Sequence, residues 1–136
     1  MTAAWFLAVW AASAGAGGFE EGMAFKRAEK FKEAEAAFAA VVKKEPRNAD
    51  ALEQLATVQG WLGRHEASIE TWRRLLRLAP KNDDYRVGLA RVLYWKGRHD
   101  EALTELSRVV AGRTRRADVF SLRGDVLAAA GRPEEA

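Results

Sequence analysis

Sliding the chain against itself by 34 residues brings four copies of one hydrophobic and polar pattern into register, and a fixed period decides architecture before any local propensity does. Small residues recur at Gly22, Ala56, Ala90 and Gly124, and again at Ala34, Ser68, Ala102 and Ala136. Large apolar residues recur at Phe38, Trp72 and Leu106. Antiparallel helices approach closely only where side chains are small, so the small series predicts helix crossing points and the large residue fills the space beside each. Gly63, Gly97 and Gly131 predict the ends of first helices, since glycine tolerates the left-handed backbone there. Glu29 breaks that series in the first copy. Pro46 and Pro80 stop second helices, with Thr114 in the third place, while Asn48 with Asp50, and Asn82 with Asp83 and Asp84, offer caps. The elements predicted are helices over 17–29, 32–44, 49–62, 66–78, 83–96, 100–111 and 117–130, with another beginning near Glu134.

These positions resemble the tetratricopeptide repeat (TPR). The second copy reads Leu52, Leu55, Ala56, Gly63, Ser68, Trp72, Leu75 and Pro80, and the third reads Leu89, Ala90, Leu93, Gly97, Ala102, Leu106 and Val109. The resemblance implies an all-α, right-handed α-solenoid of antiparallel helix pairs. Its divisions are a divergent repeat over 15–48, with Gly18 and Glu21 where large residues are expected, repeats over 49–82 and 83–116, and a truncated fourth over 117–136. A solenoid ordinarily closes with a polar-faced capping helix, so a chain stopping inside a repeat is expected to be a fragment of a longer protein. Its last helix would then expose Phe120, Val126 and Leu127.

A length of 136 residues fits about one domain, and 49% hydrophobic with 30% charged residues fits a soluble helical protein rather than a disordered one. The net charge of +3 comes from scattered arginines and a cluster at Arg113, Arg115 and Arg116. That balance mildly favours anionic partners, and no nucleic acid is expected. Absence of cysteine excludes disulfides and thiolate metal sites. The stretch from Ala3 to Gly18 carries Trp5, Phe6, Leu7, Val9 and Trp10, then Ala12, Ser13 and Ala14 ahead of Gly15. This is the form of a secretory signal over 1–14, too short for a comfortable membrane span and lacking a basic leading region. Export to the periplasm is therefore expected; the alternative is a cytoplasmic protein whose apolar N-terminus packs on the solenoid end.

In a solenoid of helix pairs the first helix of each pair lines the concave face, and residues four apart share a stripe. The candidate partner-binding groove is Phe19, Met23, Glu53, Thr57, Trp61, Val87, Arg91, Tyr94, Trp95 and Asp125. Rigid aromatics there would anchor a protein or peptide partner while charges fix its register; equally, Trp61 and Trp95 could be core between neighbouring inner helices. TPR domains that hold acidic chaperone tails resemble one another in a carboxylate clamp, whose positions here fall on Phe19, Met23, Gln54, Asp84 and Gly88, or one copy later on Glu53, Thr57, Gly88, Asp118 and Leu122. Neither set supplies the cationic donors a carboxylate needs, so such tails are disfavoured.

No catalytic, cofactor or metal role is expected. His65 and His99 occupy the same inter-helix turn one period apart, which favours packing over ligation. Glu33 with Glu35, Asp100 with Glu101, and Glu134 with Glu135 fall where second helices begin and suit the helix dipole. Gly15, Gly17 and Gly18 precede no Lys-Ser or Lys-Thr and follow no strand, so they form no phosphate loop. The segment from Val87 to Ala102 is also similar to TPR segments of exported cell-envelope and exopolysaccharide machinery, which implies a scaffold in a membrane-associated assembly. The alternative is a recruiting or regulatory arm of an enzyme whose catalytic part lies outside this sequence.

Overall fold

The computed structural model describes residues 17–136; the signal expected over 1–14 lies outside them. Among the described residues seven α-helices follow in order: α1 (Gly17–Arg27), α2 (Phe31–Lys44), α3 (Ala49–Trp61), α4 (His65–Leu78), α5 (Asp83–Trp95), α6 (His99–Ala111) and α7 (Ala117–Ala129). In place of a further α-helix near Glu134 there is a single 3-10 turn, Pro133–Glu135. Every helix starts within one residue of its predicted position and ends within two. Among the described residues there is no strand, and no helix is long and apolar enough to cross a membrane.

Local chemistry sets the helix ends. The Asn48 side chain accepts the Ala51 N–H at 3.0 Å and the Asn82 side chain accepts that of Tyr85 at 3.1 Å, satisfying amides that the first turn leaves without helical partners. At the ends of α3, α5 and α7 the chain passes through Gly63, Gly97 and Gly131 with φ of 73°, 85° and 73°. The following arginine amide then bonds back to the helix, Arg98 N to Leu93 O at 2.9 Å for example. The first copy makes the same turn without glycine: Glu29 sits at φ 57°, and Lys30 N bonds to Phe25 O at 2.9 Å. A side chain in the left-handed region costs roughly 1–2 kcal/mol. Glu29→Gly is therefore expected to stabilise the protein by about 0.5–1 kcal/mol and Gly97→Ala to destabilise it by about 1 kcal/mol, after allowing for unfolded-state entropy. Nothing lies within 4 Å of a Cβ at Gly97, so its change reports backbone strain alone. Urea titrations that gave both substitutions the same sign would contradict this origin.

Each helix packs antiparallel on the next, and α3 also touches α5, as α5 touches α7. Successive outer helices (α2, α4, α6) make no comparably close approach among the described residues. In the layer of first helices (α1, α3, α5 and α7) the last three touch in succession, so this layer is the tighter one and the stack curves around it. The small residues lie where the helices cross: Ala34, Ala56, Ser68, Ala90 and Ala102 are all fully buried, and the Ser68 hydroxyl donates to Ala56 O at 2.6 Å. Phe38, Trp72 and Leu106 fill the adjoining space. One continuous core runs from Ala34 to Val126, as expected when each pair buries its apolar face only against its neighbours.

The arginine after each turn glycine reaches back one repeat: Arg64 to Glu35 at 2.7 Å, Arg98 to Glu66 at 3.4 Å and Arg132 to Asp100 at 3.6 Å. These exposed pairs set register more than stability. The predicted apolar end needs a correction. Phe120 is open, but Val126 and Leu127 are buried, because they turn toward the core and because the chain folds back through Gly131, placing Arg132 and Glu135 beside Leu127.

Candidate functional site

The inner helices present their open side along the concave face, and their charges and aromatics separate toward opposite edges. Asp50, Asp84 and Asp118 lie in the first turns of α3, α5 and α7, one period apart, and form an acidic edge. Glu53 stands one turn further along α3. Its carboxyl is pushed above the usual range by burial and by the neighbouring Asp50 and Asp84 charges, with Lys26 partly opposing them. The same carboxylates, after burial, raise the Tyr85 phenol. Arg116 bridges this edge, bonding both Asp84 and Asp118, and its hydrogen bond holds the Asp118 carboxyl below the usual range. The sequence groups Arg116 with Arg113 and Arg115 as a basic cluster; the fold assigns it to the acidic edge at the start of α7.

Trp61 and Trp95 mark the opposite edge, at the last positions of α3 and α5. Each has one packed and one open face, with 48% and 42% of its surface exposed. Phe31 meets Trp61 edge-on at 5.2 Å between centroids, and the Lys26 ammonium lies 5.2 Å from the Trp61 ring centre. Lys26 also donates to Gln54 Oε1 at 2.6 Å. Trp95 rests over Gly60, where a Cβ would come within 3.2 Å of it, and faces the His65 ring at 6.5 Å. His99 stands correspondingly 5.9 Å from Tyr94. Both histidine rings therefore pack against inner-helix aromatics, and among the described residues no group of three or more His, Asp or Glu is placed to hold a metal ion.

Between the edges lie Thr57, Arg91 and Asp125. The Thr57 hydroxyl is occupied by Glu53 O at 2.8 Å, whereas Arg91 and Asp125 are exposed. Among the described residues Asp50, Glu53, Arg91 and Asp125 make no ion pair within 4 Å. Phe19 and Met23 on α1 are partly buried against the core, Phe19 meeting Phe38 edge-on at 5.7 Å. Tyr94 is also half-packed. Val87 departs from the expected groove: at 3% exposure it belongs to the core. Residues eight apart on a helix differ by about 80° in direction, so a stripe ending on the open Trp95 begins in the seam between neighbouring helices. The i, i+4 pattern also missed Lys26, Asp50 and Arg116, although the 34-residue offset that aligns the glycines aligns the three aspartates as well.

Sequence profiles of the tetratricopeptide repeat match residues 19–59 and 62–126, which together take in most of the chain. No curated protein matches at a significant level. Among solved structures, the chain is similar to YrrB, described as a TPR protein with an unusual peptide-binding site, with 24% identity and a TM-score of 0.79 over 91% of this chain and 64% of that one. It is similar to MamA with 22% identity and a TM-score of 0.75 over 84% of this chain and 67% of that one. A tetratricopeptide repeat protein from Parabacteroides merdae shares 14% identity and a TM-score of 0.77 over 87% of this chain and 46% of that one. The chain thus spans about two thirds of YrrB and MamA and under half of the third protein. At these identities the likeness is one of fold, an all-α solenoid. With the 34-residue period, the buried small residues at the crossings and the two profile matches, the chain belongs to the tetratricopeptide repeat family.

Proposed function

We propose that this chain is a non-catalytic scaffold that holds a segment of a partner protein along its concave face. The observation that carries the reading is the pair of half-open tryptophans, Trp61 and Trp95, one period apart at the last positions of α3 and α5. Exposed rigid aromatics give binding area at little entropic cost. The unusual peptide-binding site described for YrrB, whose fold is similar, supports the same use of the surface here.

A photo-crosslinking residue at Thr57 on the concave side should capture a partner that the same residue at Ala39, exposed on outer helix α2, does not. Trp61→Ala with Trp95→Ala should abolish that capture while helicity by circular dichroism stays unchanged. Equal labelling from both positions would overturn the reading. Export to the periplasm, as part of a cell-envelope or exopolysaccharide assembly, belongs to the same proposal and rests on the apolar stretch ahead of Gly15. A mature N-terminus close to Gly15 supports it, and a soluble cytosolic protein starting at Met1 contradicts it.

A further inference from the structure

The whole chain carries a net charge of +3, yet one edge of its concave face is acidic. Asp50, Glu53, Asp84, Asp118 and Asp125 lie on the inner helices; among the described residues the cation bonded into the acidic edge is Arg116, and Arg91 stands exposed between the edges. Lys26 on α1 is already committed to Gln54 and the Trp61 ring. The helix dipole accounts for an aspartate in a first turn. It does not account for Glu53, which stands a turn further in, half-buried and among like charges without an ion pair. A carboxylate in that setting gains most from a cation brought by something else.

On the reading that the groove holds a partner segment, we propose that it selects an extended segment in which lysine or arginine alternates with apolar side chains. Cations would face Asp50, Glu53 and Asp84, and apolar groups would face Trp61 and Trp95. From Asp84 to Trp95 the helix advances about 16 Å at 1.5 Å per residue. A strand running midway lies about 8 Å from each edge, and its successive side chains point to opposite sides, one set to each. A lysine stem can lie along apolar surface while its ammonium reaches the carboxylates. Acidic segments meet like charge at this edge, which agrees with the absence of carboxylate-clamp donors at Gln54, Asp84 and Gly88.

The test is fluorescence anisotropy with a dye-labelled peptide of about ten residues carrying lysine at alternate positions with leucine and serine between, beside a counterpart with glutamate for lysine. The lysine peptide is expected to bind at least about tenfold more tightly than the glutamate peptide. Asp50→Asn with Glu53→Gln should weaken it about tenfold, and Trp95→Ala, which changes no charge, should weaken it comparably. Arg91→Ala, which removes an exposed cation from between the two edges, should tighten it. Thermal melts by circular dichroism establish that each variant is folded. Preference for the glutamate peptide, with Trp95→Ala still abolishing binding, overturns the charge assignment while leaving the groove in use. Lysine-peptide affinity indifferent to all the groove substitutions overturns both.

Discussion

Phe38→Ala is expected to lower stability by about 3–5 kcal/mol, the range for emptying a fully buried aromatic site. Phe38 is fully buried, its ring lies where a Cβ on Gly22 would come within 2.6 Å, and Phe19 meets it edge-on at 5.7 Å. It therefore fills the space where α1 crosses α2. Because each repeat touches only its neighbours, the damage should be local. Hydrogen exchange should show protection lost over 17–44 and retained over 49–129, with a fall in the urea midpoint. Phe120→Ala, at a ring left 47% exposed, should change stability by no more than about 0.5 kcal/mol. A uniform loss of protection along the chain, or a Phe38→Ala cost as small as that of Phe120→Ala, would show that the first pair is not held in this way.

The same residues explain why the fold is legible from sequence alone. A period of 34 is a statement about space: when Ala34, Ser68 and Ala102 are all small and Phe38, Trp72 and Leu106 all large, helix crossings must repeat. Departures from the period are harder to read. Glu29 interrupts the glycine series in sequence, yet the turn there keeps the glycine conformation, because the bond from Lys30 N to Phe25 O and the packing of the pair outweigh the strain on one residue. Arg113, at φ 61°, likewise takes the left-handed position after α6, although glycine stands one residue earlier at Gly112, and the proline of the other copies is missing.

The geometry of the candidate face is legible in kind and less so in detail. Residues that point straight out of an inner helix, such as Trp61, Arg91, Trp95 and Asp125, follow from helical arithmetic on one element. Whether Val87 is covered depends on the helix beside it, and Lys26 matters because α1 brings it over a ring from the next repeat. Arg116 lies outside every inner helix, and only the stacking of α5 on α7 makes it a bridge between two aspartates. The sign of the face is likewise a property of the assembled layer: a basic chain can build an acidic trough when its arginines are spent on the outside, as Arg64, Arg73, Arg98 and Arg108 are.

Gly88→Val should cost about 3 kcal/mol, at the upper end of what overpacking a core does. A Cβ at Gly88 would lie 2.6 Å from both Cη2 and Cζ2 of Trp72 and 2.8 Å from Cε2. The indole cannot yield, being rigid, 6% exposed and backed by Tyr85 at 6.2 Å. Replacing glycine within a helix would otherwise gain a few tenths of a kcal/mol for valine and about 1 kcal/mol for alanine, so the clash decides the sign. Gly124 supplies the control: it lies on α7 with nothing within 4 Å of a Cβ, and Gly124→Ala should stabilise by about 0.5–1 kcal/mol. Trp72→Leu, which borrows the side chain that Leu106 provides one repeat later, makes room at Gly88. In a double-mutant cycle Gly88→Val should therefore cost at least about 1 kcal/mol less in the Trp72→Leu background than in the unaltered protein. Additive effects of the two substitutions would mean that the indole does not limit the approach of α4 to α5.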